Sequence, residues 1–185
     1  MKKTLTILFI LTIASSGWAL AGDNFQLRFT GNYLAPADSG YKDIYGKSMF
    51  YPEFKAGYSF SSNFYLWAGY GFLNRTGETP VLKLEAKSSQ SFISLGLGYL
   101  GAFSDAFGYF AELGLVSASY EETAMDVTES GSVLGFRADA GLTYAVASPL
   151  FISLEAGYIS TSKKVNSVTI KPGGLKLGLG LGARF

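Results

Sequence analysis

Leu175-Lys176-Leu177-Gly178-Leu179-Gly180-Leu181-Gly182-Ala183-Arg184-Phe185 is the stretch on which the fold turns. In an extended chain, successive side chains point to opposite faces. Leu175, Leu177, Leu179, Leu181, Ala183 and Phe185 then share one face, and Lys176, Gly178, Gly180, Gly182 and Arg184 share the other. A strict period of two specifies a strand and excludes a helix. Eleven residues match the length with which a tilted strand crosses a bilayer. The greasy face and the terminal ring suit a strand that closes a barrel in a membrane and leaves its last aromatic at the lipid boundary.

Working outward, the same alternation repeats and predicts eight strands, over roughly Phe25 to Leu34, Met49 to Phe60, Phe64 to Asn74, Gln90 to Phe103, Phe107 to Glu121, Val133 to Val146, Leu150 to Ser160 and Leu175 to Phe185. Ser61-Ser62-Asn63, Ser104-Asp105-Ala106 and Ala147-Ser148-Pro149 read as tight turns. The other connections read as long loops: Ala35 to Ser48, a segment holding Arg75, Gly77, Glu78 and Pro80, an acidic segment from Glu121 to about Ser132, and one around Lys163 and Lys164. Val81 to Lys87 still alternates, so the third and fourth strands are expected to project beyond a membrane. Short and long connections alternate, which puts the short turns on one rim with both termini. In outer-membrane barrels that rim is the periplasmic one.

A sheet inside a bilayer must close, because unpaired backbone groups there cost several kcal/mol each. Closure demands one apolar face per strand. Phe50, Phe54 and Tyr58, then Ile93, Leu95 and Leu97, then Leu134, Phe136 and Leu142 provide it. The opposite faces hold Arg28, Glu53, Lys55, Glu112, Arg137, Asp139, Glu155, Lys176 and Arg184, five basic and four acidic groups directed into one lumen. Charges cannot be buried cheaply unless they are paired, so this near-balance predicts a paired network filling the interior. Phe25, Phe60, Phe64, Phe103, Phe107 and Phe185 fall beside the short turns on the outward face, where a girdle of aromatics is expected.

Bulk properties bound the function. One domain suits 185 residues. The chain contains no cysteine and no histidine, which removes thiolate metal sites, disulfides, the commonest general base and any Ser-His centre. Net charge is +1, too little to hold nucleic acid. Lys2 and Lys3, the apolar run Leu5 to Ile13 and the small-x-small site Ala19-Leu20-Ala21 read as an export signal over residues 1–21, leaving a mature barrel domain over 22–185.

From the signal, the alternating turns and the terminal strand, the chain resembles the small eight-stranded outer-membrane barrels of the OmpX, OmpA-domain and opacity-protein type over Gly22 to Phe185. The resemblance implies an all-β, antiparallel, up-and-down transmembrane barrel in the cell outer membrane, among lipid and lipopolysaccharide. It also implies that Leu177, Leu179, Leu181 and Phe185 form the signal read by the barrel-assembly machinery.

No enzyme, cofactor or metal is expected. A carboxylate pair from Glu112 with Asp139 or Glu155 is outweighed by structural ion pairing. The expected role is non-catalytic, in envelope integrity or in surface contact and adhesion through the loops. Glu121, Glu122, Asp126 and Glu129 in one loop, and Lys163, Lys164 and Lys171 near another, are candidate contacts for divalent cations, lipopolysaccharide phosphates or an extracellular ligand. The competing expectation is a passive channel or uptake barrel for small or apolar solutes, as in OmpW-like barrels. Eight strands leave an interior just wide enough for side chains, which weighs against it.

Overall fold

In a computed structural model, which describes residues 24–124, 127–165 and 168–185, the alternating segments become strands in this order: β1 (Phe25–Pro36), helix α1 (Ser39–Tyr45), β2 (Met49–Ser59), β3 (Phe64–Glu78), β4 (Glu85–Ala102), β5 (Phe107–Ala124), β6 (Val127–Ala147), β7 (Leu150–Thr161), β8 (Lys163–Val165), β9 (Val168–Ile170) and β10 (Gly174–Arg184). The export-signal positions and Asp126 lie outside the described residues.

Eight strands close into a barrel in the order β1-β10-β7-β6-β5-β4-β3-β2. Each pair of neighbours is antiparallel, and β10 seals the seam by pairing Leu177 with Tyr33 of β1 and with Ala156 of β7. The turns between β2 and β3 and between β4 and β5 use one device. Ser61 Oγ accepts from Phe64 N at 3.2 Å, and Ser104 Oγ accepts from Phe107 N at 3.1 Å. The start of β1 and the end of β10 meet on that same rim, where Phe25 N donates to Phe185 O at 2.9 Å.

The opposite rim differs from the sequence expectation. Two of the expected loops are sheet. The β3–β4 ladder runs to Glu78↔Glu85, so Arg75, Gly77 and Glu78 are strand residues, and only Thr79 to Leu84 turn the chain. The β5–β6 ladder runs to Ala124↔Val127, which makes the acidic segment a hairpin. The first connection carries α1, whose N-cap Asp38 accepts from Tyr41 N at 3.1 Å. The fourth connection carries the short β8–β9 hairpin. Above hydrocarbon both faces of a strand are wet, so apolar alternation no longer marks the strand. Arg75 to Glu78 lack it and are ladder, whereas Val81 to Leu84 carry it and turn the chain, contrary to the expectation of a strand there.

Burial is inverted relative to a water-soluble barrel. Leu113, Phe136 and Leu179 are 68%, 69% and 70% exposed, whereas Glu53 and Glu155 are 0% exposed. Gly31 lies on the outward face, under the Phe50 ring. Among the described residues no helix is long and apolar enough to cross a membrane; strands do the crossing.

Candidate functional site: the filled lumen and its upper rim

Every barrel strand contributes to one buried ionic storey midway along the axis. Arg28 comes from β1, Glu53 and Lys55 from β2, Glu112 from β5, Arg137 and Asp139 from β6, Glu155 from β7 and Lys176 from β10. Arg28 meets Glu112 at 2.5 Å and Glu155 at 3.6 Å. Lys55 meets Glu112 at 2.6 Å and Asp139 at 3.1 Å. Lys176 bridges Glu155 at 2.7 Å, Glu53 at 2.8 Å and Asp139 at 3.2 Å. Arg137 pairs with Glu53 on one side and with Asp139 at 2.5 Å on the other. Ser94 of β4 accepts from Arg137 Nη1 at 3.1 Å, and the Trp67 ring of β3 lies 5.0 Å from the same guanidinium. With four cations and four carboxylates the storey is neutral, the condition under which a buried ion set is tolerated.

Arg184, the ninth expected member, is not brought into this set. It stands at the short-turn mouth with its guanidinium 4.7 Å over the Phe151 ring, and it has no acidic partner among the described residues. Its exclusion turns a five-to-four count into a balanced one. Below the ionic storey, Tyr65, Phe110 and Phe151 fill the interior. Tyr65 OH donates to Glu112 Oε1 at 2.6 Å. Gly98 lets that phenol in, since a Cβ at Gly98 would collide with the Tyr65 ring.

Sequence reasoning missed the third storey. Toward the long hairpins the lumen is apolar, packed with Leu34, Met49, Tyr51, Leu73, Phe92, Val116 and Ile159. Tyr51 and Phe92 meet edge to face at 5.4 Å. The signal was present: each of these residues sits on the same parity as the ionic groups, displaced along its strand toward the long connections. Helix α1 covers this storey, with Tyr45 buried in it.

On the outer wall, Phe60, Phe64, Phe103 and Phe107 are exposed near the short turns, and Phe25 and Phe185 are half-buried where the start of β1 and the end of β10 meet. Leu177, Leu179 and Leu181 project from β10 on the exposed face. The charged residues of the upper rim are only partly gathered. Glu122 and Lys171 line one cavity, whereas Glu121, Glu129 and Lys164 are exposed. Lys163 Nζ donates to Ser132 O at 3.1 Å. No group of three or more potential metal ligands occurs among the described residues.

The β2–β3 ladder ends at Glu53↔Gly71, whereas β3–β4 continues to Glu78↔Glu85. The stop lies beside Pro52, which has no N–H to donate; on its other side, the ladder to β1 continues through Gly31↔Pro52. Likewise β6–β7 stops at Gly135↔Thr161, while β5–β6 reaches Ala124↔Val127. The four strands β3 to β6 therefore rise past the rest of the barrel as a blade. Its margins, Phe72 to Glu78 and Val127 to Leu134, pair inward with β4 and β5 but have no strand on their outer side among the described residues.

A family model described as outer membrane protein beta-barrel domain matches residues 5–185. No curated protein matches the sequence. Among solved structures, the outer membrane protein OprG from Pseudomonas aeruginosa is similar at a TM-score of 0.70 and 15% identity, with 88% of this chain and 95% of that one covered. Neisserial surface protein A is similar at 0.61 and 15% identity, covering 89% and 98%. Ail, the attachment invasion locus protein of Yersinia pestis, is similar at 0.55 and 15% identity, covering 88% and 97%. Identities this low carry the fold alone.

Proposed function

The chain belongs to the outer membrane protein beta-barrel domain family, a barrel of the cell outer membrane, and from that premise we propose that it is a non-catalytic surface protein whose projecting blade makes the contacts. The observation that carries this reading is the pair of margins paired on one side only, Phe72 to Glu78 and Val127 to Leu134, standing over a lumen packed on three levels. A free sheet margin presents a row of backbone donors and acceptors to which an extended segment of another protein adds as a strand. Part of the β3 margin is already occupied, since Arg75 Nε donates to Tyr45 O at 3.3 Å. The β6 margin is open at its tip, with Val127, Thr128, Glu129 and Ser130 exposed, while Ser132 O further down accepts from Lys163 Nζ at 3.1 Å. In this reading the short-turn rim and both termini face the periplasm and the blade faces outward. The assembly machinery reads the β10 face, and lipopolysaccharide surrounds the wall.

A second reading, passage of small or apolar solutes, draws support from the ladder stop beside Pro52. Purified protein in planar bilayers separates the two: silence is expected, and stepwise conductance would sink the contact reading. On whole cells, shortening the β5–β6 hairpin is expected to abolish binding to surfaces the intact protein engages. Unchanged binding would count against the blade.

A further inference from the structure

Between α1, the segment Thr169 to Gly173 and the top of β5 lies a cavity of about 240 Å³. Its floor is Leu34 and Met49, the upper end of the apolar storey. Its walls include Tyr41 and Tyr45, whose rings lie 4.4 Å apart at 39°. Tyr41 is fixed there by donating to Ser88 Oγ at 3.0 Å. Burial pushes both phenols up to about 12, so both rings stay neutral. Two carboxylates, Asp38 and Glu122, also line the cavity. Both oxygens of Asp38 are held by backbone amides, Tyr41 N at 3.1 Å and Lys171 N at 3.2 Å, which orient its charge without neutralising it. Glu122 has no hydrogen-bond or ion-pair partner among the described residues, and burial and the charge of Asp38 hold its carboxyl above the ordinary range. The Lys171 side chain is exposed and is bridged to neither acid among the described residues.

An apolar floor, aromatic walls and two carboxylates that no cationic side chain bridges among the described residues together select one chemistry. An anion would meet two carboxylates, and a bare divalent ion would find no set of three acids among the described residues. A neutral apolar molecule would leave both acids without a counter-charge. A compact ammonium group satisfies all three features, because cations are attracted both to aromatic rings and to carboxylates, here half-buried ones. We propose that this cavity is a binding site for a small free organic cation of the quaternary or alkyl ammonium class. The proposal does not depend on the blade acting in adhesion.

The test uses the full protein in nanodiscs made of phosphatidylethanolamine and phosphatidylglycerol, which carry no choline headgroup. Choline chloride, its neutral carbon isostere 3,3-dimethylbutan-1-ol and phosphorylcholine are titrated calorimetrically. Choline is expected to bind saturably and at least about tenfold more tightly than the isostere, the margin a desolvated cation–aromatic contact provides. Phosphorylcholine, whose phosphate meets the acids, is expected to bind more weakly. Glu122→Gln and Asp38→Asn, the latter retaining a helix-capping acceptor, are each expected to weaken choline binding about tenfold with the unfolding midpoint retained. Absence of saturable choline binding, equal binding of the isostere, tighter binding of phosphorylcholine, or undiminished choline binding in both folded variants would overturn the proposal.

Discussion

The ionic and apolar storeys of the lumen fill the same closed sheet by opposite means. The apolar storey is made of independent contacts, in which each side chain adds its own transfer and packing energy. The ionic storey is collective. Lys176 touches three carboxylates and Lys55 four, and Glu53 is shared by Arg137, Lys176 and Lys55. One lesson is that damage should spread differently: removing a group above leaves a hole, whereas removing one below leaves several partners uncompensated.

The largest expected effect lies below. Arg137→Ala leaves Glu53 and Asp139 with lysines alone and the buried storey one cation short, and should cost about 3–5 kcal/mol, measured by urea unfolding in lipid vesicles. The paired change Arg137→Met with Glu53→Gln should cost clearly less than the sum of its two single changes. If the costs simply add, the storey is not collective. Next comes Leu73→Ala in the apolar storey, expected to cost about 3 kcal/mol, with its effect additive to that of a substitution in the lowest storey such as Phe151→Leu. Strong coupling there would erase the contrast.

Gly98→Ala probes the boundary beneath. A methyl group at Gly98 displaces the Tyr65 ring and with it the bond to Glu112, at an expected cost of about 1–3 kcal/mol by the same unfolding measurement. Tyr65→Phe combined with Gly98→Ala should add little beyond Gly98→Ala alone.

The smallest effect lies at the upper rim. Glu122 is raised by burial and by Asp38, and it stands opposite Glu129 in the ladder, with Lys171, Tyr41 and Tyr45 nearby. The folded state therefore holds its proton more tightly than the unfolded state. The sign of the linkage follows: stability falls as pH rises from the ordinary carboxylate range through the raised value. Glu122→Gln should flatten that slope and gain a few tenths of a kcal/mol at neutral pH, the scale of a partly exposed charge. A slope unchanged in Glu122→Gln would assign the pH dependence to other groups.

What the sequence disclosed follows from where water is. Within hydrocarbon, the two faces of each strand meet opposite surroundings, so parity alone assigned Leu113 outward and Glu112 inward, and the barrel and its closing strand were legible from it. Above the membrane that contrast vanishes. Glu121 and Glu122 differ little in polarity from Ser130 and Ser132, and the hairpin they form looked like a loop. The apolar storey escaped for a different reason. Tyr51, Phe92 and Val116 sit where parity says inward, but a reading centred on the charged residues left them unremarked. Arg184 had the right parity for the ionic group, yet its height on β10 put it one storey too low, and only three-dimensional register fixes height.

The seam strand has a consequence for how the barrel is completed. Without β10, the ionic storey would hold Arg28, Lys55 and Arg137 against Glu53, Glu112, Asp139 and Glu155, three cations minus four acids, a net charge of −1. Docking β10 delivers Lys176 and cancels that charge in the same event that seals the sheet. A slip of one residue would turn the ammonium toward lipid, and a slip of two would offer Gly178 in its place. Zipping shut and electrical neutrality thus coincide in a single alignment, which makes the last strand a proofreader of its own placement.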